Sequence, residues 1–360
     1  MSNFKANFEK YLVGSMNSKQ LINKLYINIA SQLAGKIQSL ISYPGGKKKM
    51  ETEIQECYKE LSITKTFEVY IDPFTGMAGS FKALEELLKS SNVKKVILND
   101  INTCIITFHE NIRNHKDEMI DEFLEIIREK IIKKYKKLFL TVEEFEEVQS
   151  ILRDEFYQLQ EEKKFGVQTS IRLILLSAFN YSGVMSIKRD GDITFSKSIY
   201  DANDIKDFLF NTITRIETFN NLYTQFEIEF YNEDYFRVFD KFKKQPNTLW
   251  NIDTVYLKED YSEYIESDME NLSSSDIPEC SCNYGQKIFP HIEVLETLKE
   301  IDFIYNNNEH PILKHYEKKF NLKSKYFTRK ESIDAKNATE VKEVREMILF
   351  QNNFPNRAEV

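Results

Sequence analysis

Two glycines and an acid follow two predicted strands in the first third of the chain. An apolar run, Val69–Asp72, leads into a turn with Gly76 and Gly79, and the residues after this turn have helical spacing. A second apolar run ends at Asp100. In doubly wound sheets, such a glycine turn lets the backbone approach an adenosine cofactor, and a carboxylate after the next strand bonds the ribose hydroxyl groups. The spacing predicts a site of this kind, with an ordinary strand-to-helix turn as the alternative.

An aromatic residue and a cation flank a second turn, upstream of these glycines. Pro44, Gly45 and Gly46 force the backbone to turn, with Tyr43 on one side and Lys47 on the other. An aromatic face suits a flat base, and an ammonium group suits a carboxylate. S-adenosylmethionine carries both groups, so the two turns together favour this cofactor over a plain surface turn.

The order of the motifs resembles that of the DNA adenine methylase family, the alpha-class amino-methyltransferases. This family opens with Tyr-Pro-Gly-Gly-Lys, continues with a Phe-x-Gly-x-Gly cofactor turn and then has Leu-Asn-Asp-Ile-Asn. Two positions depart from the pattern: Ala78 stands where the second glycine is usual, and the arginine of a Phe-Asn-Gly-x-x-Arg loop is out of register. The matching segments are Tyr43–Lys47, Asp72–Ala78, Leu98–Asn102, Phe179–Met185, Tyr231–Tyr235 and Glu343–Asn352.

The resemblance implies an α/β fold, a doubly wound Rossmann-like methyltransferase sheet with an inserted helical target-recognition segment. It implies that S-adenosylmethionine donates a methyl group to the N6 amine of an adenine flipped out of double-stranded DNA. Asp100 would bond the ribose of the cofactor, and Asp234 falls where a family acid contacts its adenine. The cofactor-binding residues expected from the resemblance are Tyr43, Lys47, Asp72, Phe74, Gly76, Asp100 and Asp234.

The catalytic motif of this family, Asp-Pro-Pro-Tyr after an apolar strand, has no literal copy in the chain. In one register, Thr248–Ile252 is the strand and Asp253–Tyr256 is the motif. In a second register, Asp253–Leu257 is the strand and Lys258–Tyr261 is the motif. The strand of the second register is more similar to family strands, so we expect the second register, with Lys258 at the position of the catalytic acid.

Methylation of an exocyclic amine needs hydrogen-bond acceptors, because positive charge develops on the nitrogen in the transition state. The flipped base also needs an aromatic face, which Tyr261 supplies in the second register. Lys258 is a donor and not an acceptor, and Asp260 is a carboxylate two positions late. With Lys258, Asp260 and Tyr261 as catalytic residues, we expect a slow or inactive enzyme, and a methylase-like DNA-binding protein is the alternative. A nucleotide-binding dehydrogenase is disfavoured, because its glycine pattern differs.

The composition indicates a protein with a substantial core, and the resemblance implies that local lysine clusters contact DNA. The 360 residues are 41% hydrophobic, and no apolar run approaches the roughly 18 residues of a membrane span. The first residues lack a signal-peptide pattern, which predicts a cytoplasmic protein. The four cysteines form no Cys-x-x-Cys pair, so we expect no metal site. The net charge of −8 opposes general nucleic-acid binding, so phosphate contacts would come from local lysine clusters. These clusters are Lys47–Lys49, Lys130–Lys137, Lys241–Lys244 and Lys314–Lys330.

Changes in pattern along the chain predict its domains. Residues 1–40 have helical spacing and form an N-terminal extension. Residues 41–110 and 166–353 alternate between strands and helices and form the cofactor-binding catalytic domain. Residues 111–165 are charged helices, one of them opened by a capping box at Thr141–Glu144, where the family inserts its target-recognition segment. The later strands are expected near Phe226–Phe230, Asp253–Leu257, Phe303–Tyr305 and Met347–Phe350.

The resemblance therefore predicts a site-specific DNA adenine methyltransferase. A cognate restriction endonuclease is one candidate partner, and phage self-protection or regulation are alternative roles. The amino-acid pattern specifies neither the recognised DNA sequence nor the oligomeric state.

Overall fold

The computed structural model describes residues 10, 20, 41, 47–137, 140–179, 185–187, 192–195, 205–257, 289–332 and 341–351. The chain divides into two compact units. The first unit comprises Met1–Gly45, Asn102–Met185 and Asp192–Gln225. The second comprises Gly46–Ile101, Ser186–Gly191 and Phe226–Val360.

The second unit is organised around a seven-stranded sheet. In the described ranges the chain forms nine strands: β1 (Val69–Asp72), β2 (Lys95–Asn99), β3 (Met185–Ile187), β4 (Ile193–Phe195), β5 (Glu227–Tyr231), β6 (Thr248–Asp253), β7 (Asp302–Asn308), β8 (Lys323–Ser332) and β9 (Val341–Phe350). Seven of them form the sheet in the order β5-β2-β1-β6-β7-β9-β8. Strands β5, β2, β1, β6 and β7 are parallel, whereas β9 runs antiparallel to β7 and to β8.

Ten helices of seven residues or more lie within the described part of the chain. They are α1 (Glu51–Ser62), α2 (Gly79–Ser90), α3 (Thr103–Asn114), α4 (Lys116–Ile126), α5 (Val142–Glu161), α6 (Val167–Phe179), α7 (Ile205–Tyr223), α8 (Tyr235–Phe242), α9 (His291–Thr297) and α10 (Pro311–Lys319). A 3-10 turn, Lys47–Met50, precedes α1, and a second one, Leu298–Glu300, continues α9. A π-helical turn, Ile127–Ile132, and a short turn, Lys133–Tyr135, continue α4.

Helices cover both faces of the sheet, which explains why its central strands are buried on both sides. On one face, the ring of Tyr70 in β1 stacks on Phe81 of α2. On the other face, Trp250 of β6 contacts Phe239 of α8, in a core that also contains the apolar side chains of α9 and α10. Parallel strands buried on both faces are typical of doubly wound sheets. The predicted fold class is confirmed.

The first unit contains α3 to α7. The capping box predicted for α5 is present: Thr141 N donates to Glu144 Oε2 over 2.8 Å, and Glu144 N donates to the Thr141 hydroxyl over 3.4 Å. Arg172 of α6 forms ion pairs with Glu155 of α5 at 2.9 Å and with Glu122 of α4 at 3.2 Å. These bonds join three helices through one guanidinium group that is 8% exposed.

No helix within the described ranges is both long enough and apolar enough to cross a membrane. Among the same residues, no group of three or more histidine, cysteine or acidic side chains is arranged to hold a metal ion. Cys57 and Cys104 are buried free thiols, and burial raises the pKa of each to about 12. They are therefore protonated, unreactive core residues at neutral pH.

Candidate active site

The glycine turn and the acid that the sequence singles out meet at the carboxyl ends of β1 and β2. Thr75 N donates to Asn99 O over 2.8 Å, and Gly76 N donates to Asp100 Oδ2 over 3.1 Å. Gly76 has a φ of 47°, a left-handed conformation that glycine adopts at little steric cost. Asp100 is 8% exposed, so its carboxylate is held against the turn. The structure thus brings two of the expected cofactor residues together.

Asn99 fastens this turn to the loop after β5, a role that sequence reasoning missed. Its amide nitrogen donates to Pro73 O over 2.9 Å and to Glu233 O over 3.0 Å, while its oxygen accepts from Glu233 N over 3.0 Å. Asn232 adds bonds of 2.9 Å to the carbonyl oxygens of Asp100 and Ile101. The ends of three adjacent strands therefore form one hydrogen-bonded edge. The sequence signal for this role was an amide side chain directly before Asp100.

Asp234 lies on this edge as the N-cap of α8. Its Oδ1 accepts a hydrogen bond from Phe236 N over 2.9 Å, and the residue is exposed. This bond uses one carboxylate oxygen and orients the other, because an N-cap side chain is fixed by the helix end it caps. An acceptor beside the β2–β5 edge suits the amino group of an adenine.

Ile101 is the second functional candidate that the sequence reasoning missed. Its side chain is 69% exposed directly after Asp100. Within the described ranges, Ile63 and Tyr326 are the other large hydrophobic residues with high exposure. A large apolar side chain beside a carboxylate at a strand end can pack against the flat face of a base. The sequence signal for this role was an apolar residue between the polar residues Asp100 and Asn102.

Asp72 and Phe74 are both in the turn region, where Asp72 is buried and Phe74 is half-buried. Burial raises the pKa of the Asp72 carboxyl well above its usual value, and the nearby carboxylate of Asp253 raises it further. Asp72 is 1% exposed, so its carboxyl group is held away from solvent. The half-buried ring of Phe74 stacks on Tyr235 at a centroid distance of 5.2 Å and meets Phe289 edge-on at 5.6 Å. Phe74 thus packs the turn against the core under α8.

Strand β6 corrects the strand assignment on which the expected catalytic register depended. The strand is Thr248–Asp253, and it pairs in parallel with β1 on one side and β7 on the other. The prediction of a strand at Asp253–Leu257 is wrong. Asp253 lies opposite Asn306 of β7, two residues beyond the level at which β1 ends. Asp253 is therefore the carboxylate at the end of this strand.

The four residues after β6 form a loop that two asparagines of β7 hold in place. The Asn307 side chain accepts from Leu257 N over 2.7 Å and donates to Thr254 Oγ1 over 2.9 Å and to Val255 O over 3.0 Å. Asn308 Nδ2 donates to Leu257 O over 2.7 Å. These bonds fix the loop directly beyond Asp253.

Tyr256 is packed into this edge of the second unit. The side chain is 9% exposed, and its hydroxyl donates to Glu346 Oε2 of β9 over 3.2 Å. The ring is therefore held close to the end of β6 and is mostly covered in this conformation.

Several expected site residues fall outside the described residues: Tyr43, Lys258, Asp260 and Tyr261. Lys47 begins the 3-10 turn before α1, and its side chain is likewise outside. Their roles stay predictions.

Ion pairs within each unit neutralise much of the lysine clusters. In the first unit, Lys130, Lys133, Lys134 and Lys137 pair with Glu155, Glu129, Glu147 and Glu144. In the second unit, Lys319, Lys323 and Lys325 pair with Glu296, Glu60 and Glu56. These lysines carry less net positive charge to the surface than their spacing in the sequence indicates.

Comparison with known proteins agrees with this geometry. A family model for D12 class N6 adenine-specific DNA methyltransferases matches residues 43–329. The chain is also similar to the Type II methyltransferase M.MjaIII of Methanocaldococcus jannaschii, with 24% identity over 235 residues, which are 63% of this chain and 76% of that protein. The family match spans the ends of β1, β2, β5 and β6, and it covers well over half of the residues. The chain therefore belongs to the D12 class of N6 adenine-specific DNA methyltransferases.

Proposed function

We propose that this protein transfers a methyl group from S-adenosylmethionine to N6 of adenine at a specific sequence in DNA, with Asp253–Tyr256 as its catalytic motif. The observation that carries the proposal is the end of β6. This strand lies beside β1 and ends at Asp253, so a carboxylate stands at the same sheet edge as the Gly76–Asp100 contact. In open α/β sheets, ligands bind outside the carboxyl ends of the strands.

The hydrogen-bond acceptors and the apolar side chain at this edge fit an adenosyl cofactor. Asp100 would accept from the ribose hydroxyl groups, Ile101 would pack against the adenine, and the second oxygen of Asp234 would accept from its amino group. Tyr43 and Lys47, from the resemblance, would meet the remaining base face and the carboxylate. When bound, S-adenosylmethionine supplies a methyl group on a sulfonium, which makes this methyl electrophilic.

Asp253 would act as the acceptor for the target amine. A carboxylate that accepts a hydrogen bond from N6 stabilises the positive charge that develops on this nitrogen during methyl transfer. Thr254 and Val255 replace the family prolines, and the bonds from Asn307 hold their backbone instead. We infer that side-chain bonding here substitutes for the fixed φ of proline.

Tyr256 would supply the aromatic face for the flipped base. The ring lies three residues after Asp253, as in the family motif, and Glu346 holds its hydroxyl. Since the ring is 9% exposed, a base reaches it only after the loop shifts. Because this loop must move before the base can bind, we expect slow turnover.

The register can be tested by DNA methylation assays on the purified full chain. We expect Asp253→Ala to lower the methylation rate by about 100-fold or more, since it removes a preorganised charge-stabilising group. Asp260→Ala is the matched control from the alternative register, Lys258–Tyr261, and should keep most of the activity. The readout is N6-methyladenine by mass analysis, in DNA from a host without its own adenine methylases. Loss in Asp260→Ala with full activity in Asp253→Ala would restore the second register.

A catalytically impaired, methylase-like DNA-binding protein is the second candidate function. The coverage of Tyr256 and the absence of both motif prolines favour it. Binding of S-adenosylmethionine and DNA by the wild type, with no methylated product, would establish this second function and exclude the first.

A further inference from the structure

Three polar side chains lie together on one face of the sheet, inside the second unit. Ile71 pairs with Trp250, so the next residues, Asp72 and Asn251, are neighbours on β1 and β6. Asn251 pairs with Ile304, which puts Asn306 diagonally beside it on β7. Register partners share a face, and side chains alternate along a strand. Asp72, Asn251 and Asn306 therefore share one face, and we call these three residues the polar strip.

The polar strip is buried, and most of its hydrogen-bonding capacity is unused. Asn251 and Asn306 are 0% exposed, and in the described structure neither their amide nitrogens nor their oxygens have a hydrogen-bond partner. Oδ1 of Asp72, in a residue that is 1% exposed, also has none. Nearly all buried polar groups in folded proteins are paired, because an unpaired one loses its bonds to water without replacement. Two adjacent amides in this state point to a ligand.

The position of the polar strip along the sheet edge identifies the part of the ligand that it would meet. The groups suited to adenine and ribose, Asp234 and Asp100, lie at the ends of β5 and β2. The polar strip lies on the next strands, β1, β6 and β7, at a spacing of roughly 4.8 Å per strand. A cofactor lying along this edge with its adenosine at β5 and β2 therefore extends its other end towards β1 and β6.

We propose that the polar strip binds the α-amino-acid end of S-adenosylmethionine. Each carboxamide offers an oxygen that accepts from the ammonium group and a nitrogen that donates to the carboxylate. Asp72, next to Asn251, adds an acceptor for the ammonium group. This inference rests on the proposed function and adds Asn251 and Asn306 to its binding residues.

Titration calorimetry on the full chain with two probes tests the proposal. S-adenosylmethionine carries the amino-acid end, and 5′-methylthioadenosine lacks it. Asn251→Leu and Asn306→Leu keep the side-chain size and remove both donor and acceptor. For each variant we expect the affinity for S-adenosylmethionine to fall about tenfold or more, and that for 5′-methylthioadenosine to change less than about twofold. Binding of the second probe also shows that the variant is folded.

Gln351 provides the matched control. It is 1% exposed, and both polar atoms of its side chain lack a partner in the described structure. It follows Phe350, which pairs with Ile304 on the face of the polar strip, so the alternation of side chains along the chain puts it on the other face of the sheet. Gln351→Leu should leave both affinities unchanged.

The outcomes separate the polar strip from the cofactor proposal. Wild type that binds neither probe would overturn the use of S-adenosylmethionine itself. Wild-type binding that persists unchanged in Asn251→Leu and Asn306→Leu would overturn the polar strip alone. Equal losses of affinity for both probes would also overturn it, because the two amides would then not bind the amino-acid end specifically.

Discussion

Asp72 and Asp100 follow adjacent strands, yet their surroundings give their carboxyl groups different chemistry. Asp100 accepts a hydrogen bond from the Gly76 amide, which orients the carboxylate as an acceptor. Asp72 is buried, and burial together with the Asp253 carboxylate raises its pKa well above the usual value. Asp100 is thus suited to accept from hydroxyl groups, whereas Asp72 can also donate its proton.

Replacing Asp100 tests its expected bond to the ribose. We expect Asp100→Ala to weaken binding of S-adenosylmethionine by about 10- to 100-fold, since a hydrogen bond to a charged group is worth roughly 1.5–3 kcal/mol. Calorimetry is the measurement. The control is Asp240→Ala, which removes an acid of α8 that pairs with Lys243 at 2.7 Å. Equal affinities in the two variants would remove Asp100 from the site.

Asp72 should make the stability depend on pH. An acid with a higher pKa in the folded state than its unfolded value of about 3.9 holds its proton more tightly when folded. The free energy of unfolding therefore falls as the pH rises above that value, until the folded carboxyl ionises. Asp72→Asn removes this titration, so its melting temperature relative to wild type should rise between about pH 5 and about pH 8. A difference that is the same at both pH values would contradict the raised pKa of Asp72.

At the scale of elements, the end of β7 determines the shape of the loop after β6. Asn307 and Asn308 contribute side chains to this loop through four bonds of 2.7 to 3.0 Å. Asn232 has a similar role on the other side, where it bonds two carbonyl oxygens after β2. Two asparagine-held loops therefore shape the two halves of the candidate site.

These two asparagines should affect different kinetic constants. Asn307→Ala releases the backbone after Asp253, so we expect kcat to fall about tenfold or more while the affinity for S-adenosylmethionine stays within about twofold. Asn232→Ala loosens the strand end that carries Asp100 and should weaken cofactor binding instead. Steady-state methylation assays and calorimetry on both variants provide the test. A fall in cofactor affinity for Asn307→Ala would show that its loop belongs to the cofactor half.

At the scale of the whole molecule, many charged side chains of the described residues form ion pairs inside one unit. The net charge is −8, and within the described ranges many lysines that cluster in the sequence pair with acids of the same unit. Lys325 of β8 lies 2.8 Å from Glu56 and 2.7 Å from Glu60 of α1, and Lys323 lies 3.4 Å from Glu60. These contacts join the edge of the sheet to a helix. The role of residues 111–165 in target recognition stays a prediction, and four lysines of this segment are similarly paired.

Salt-dependent DNA binding distinguishes paired from DNA-facing lysines. Each phosphate contact adds about 0.9 to the slope of log affinity against log salt concentration. We expect the double variant Lys323→Gln, Lys325→Gln to leave this slope unchanged and to lower the melting temperature. Filter binding at several salt concentrations measures the slope. A slope reduced by about 0.9 for each lysine would show that β8 faces DNA.

The local pattern of the sequence determined the fold class, the pairing of the glycine turn with Asp100, and the strands β5, β7 and β9 near their predicted positions. These features depend on short segments, such as Val69–Asp72 followed by glycine, whose conformation nearby residues dictate. The tertiary structure alone decided where β6 ends. Thr254–Leu257 is as rich in strand-forming residues as Thr248–Asp253, and only the parallel contacts with β1 and β7 select between them. It also decided which lysines are neutralised and which amides meet on one face, because ion pairs and sheet registers join residues that lie far apart along the chain.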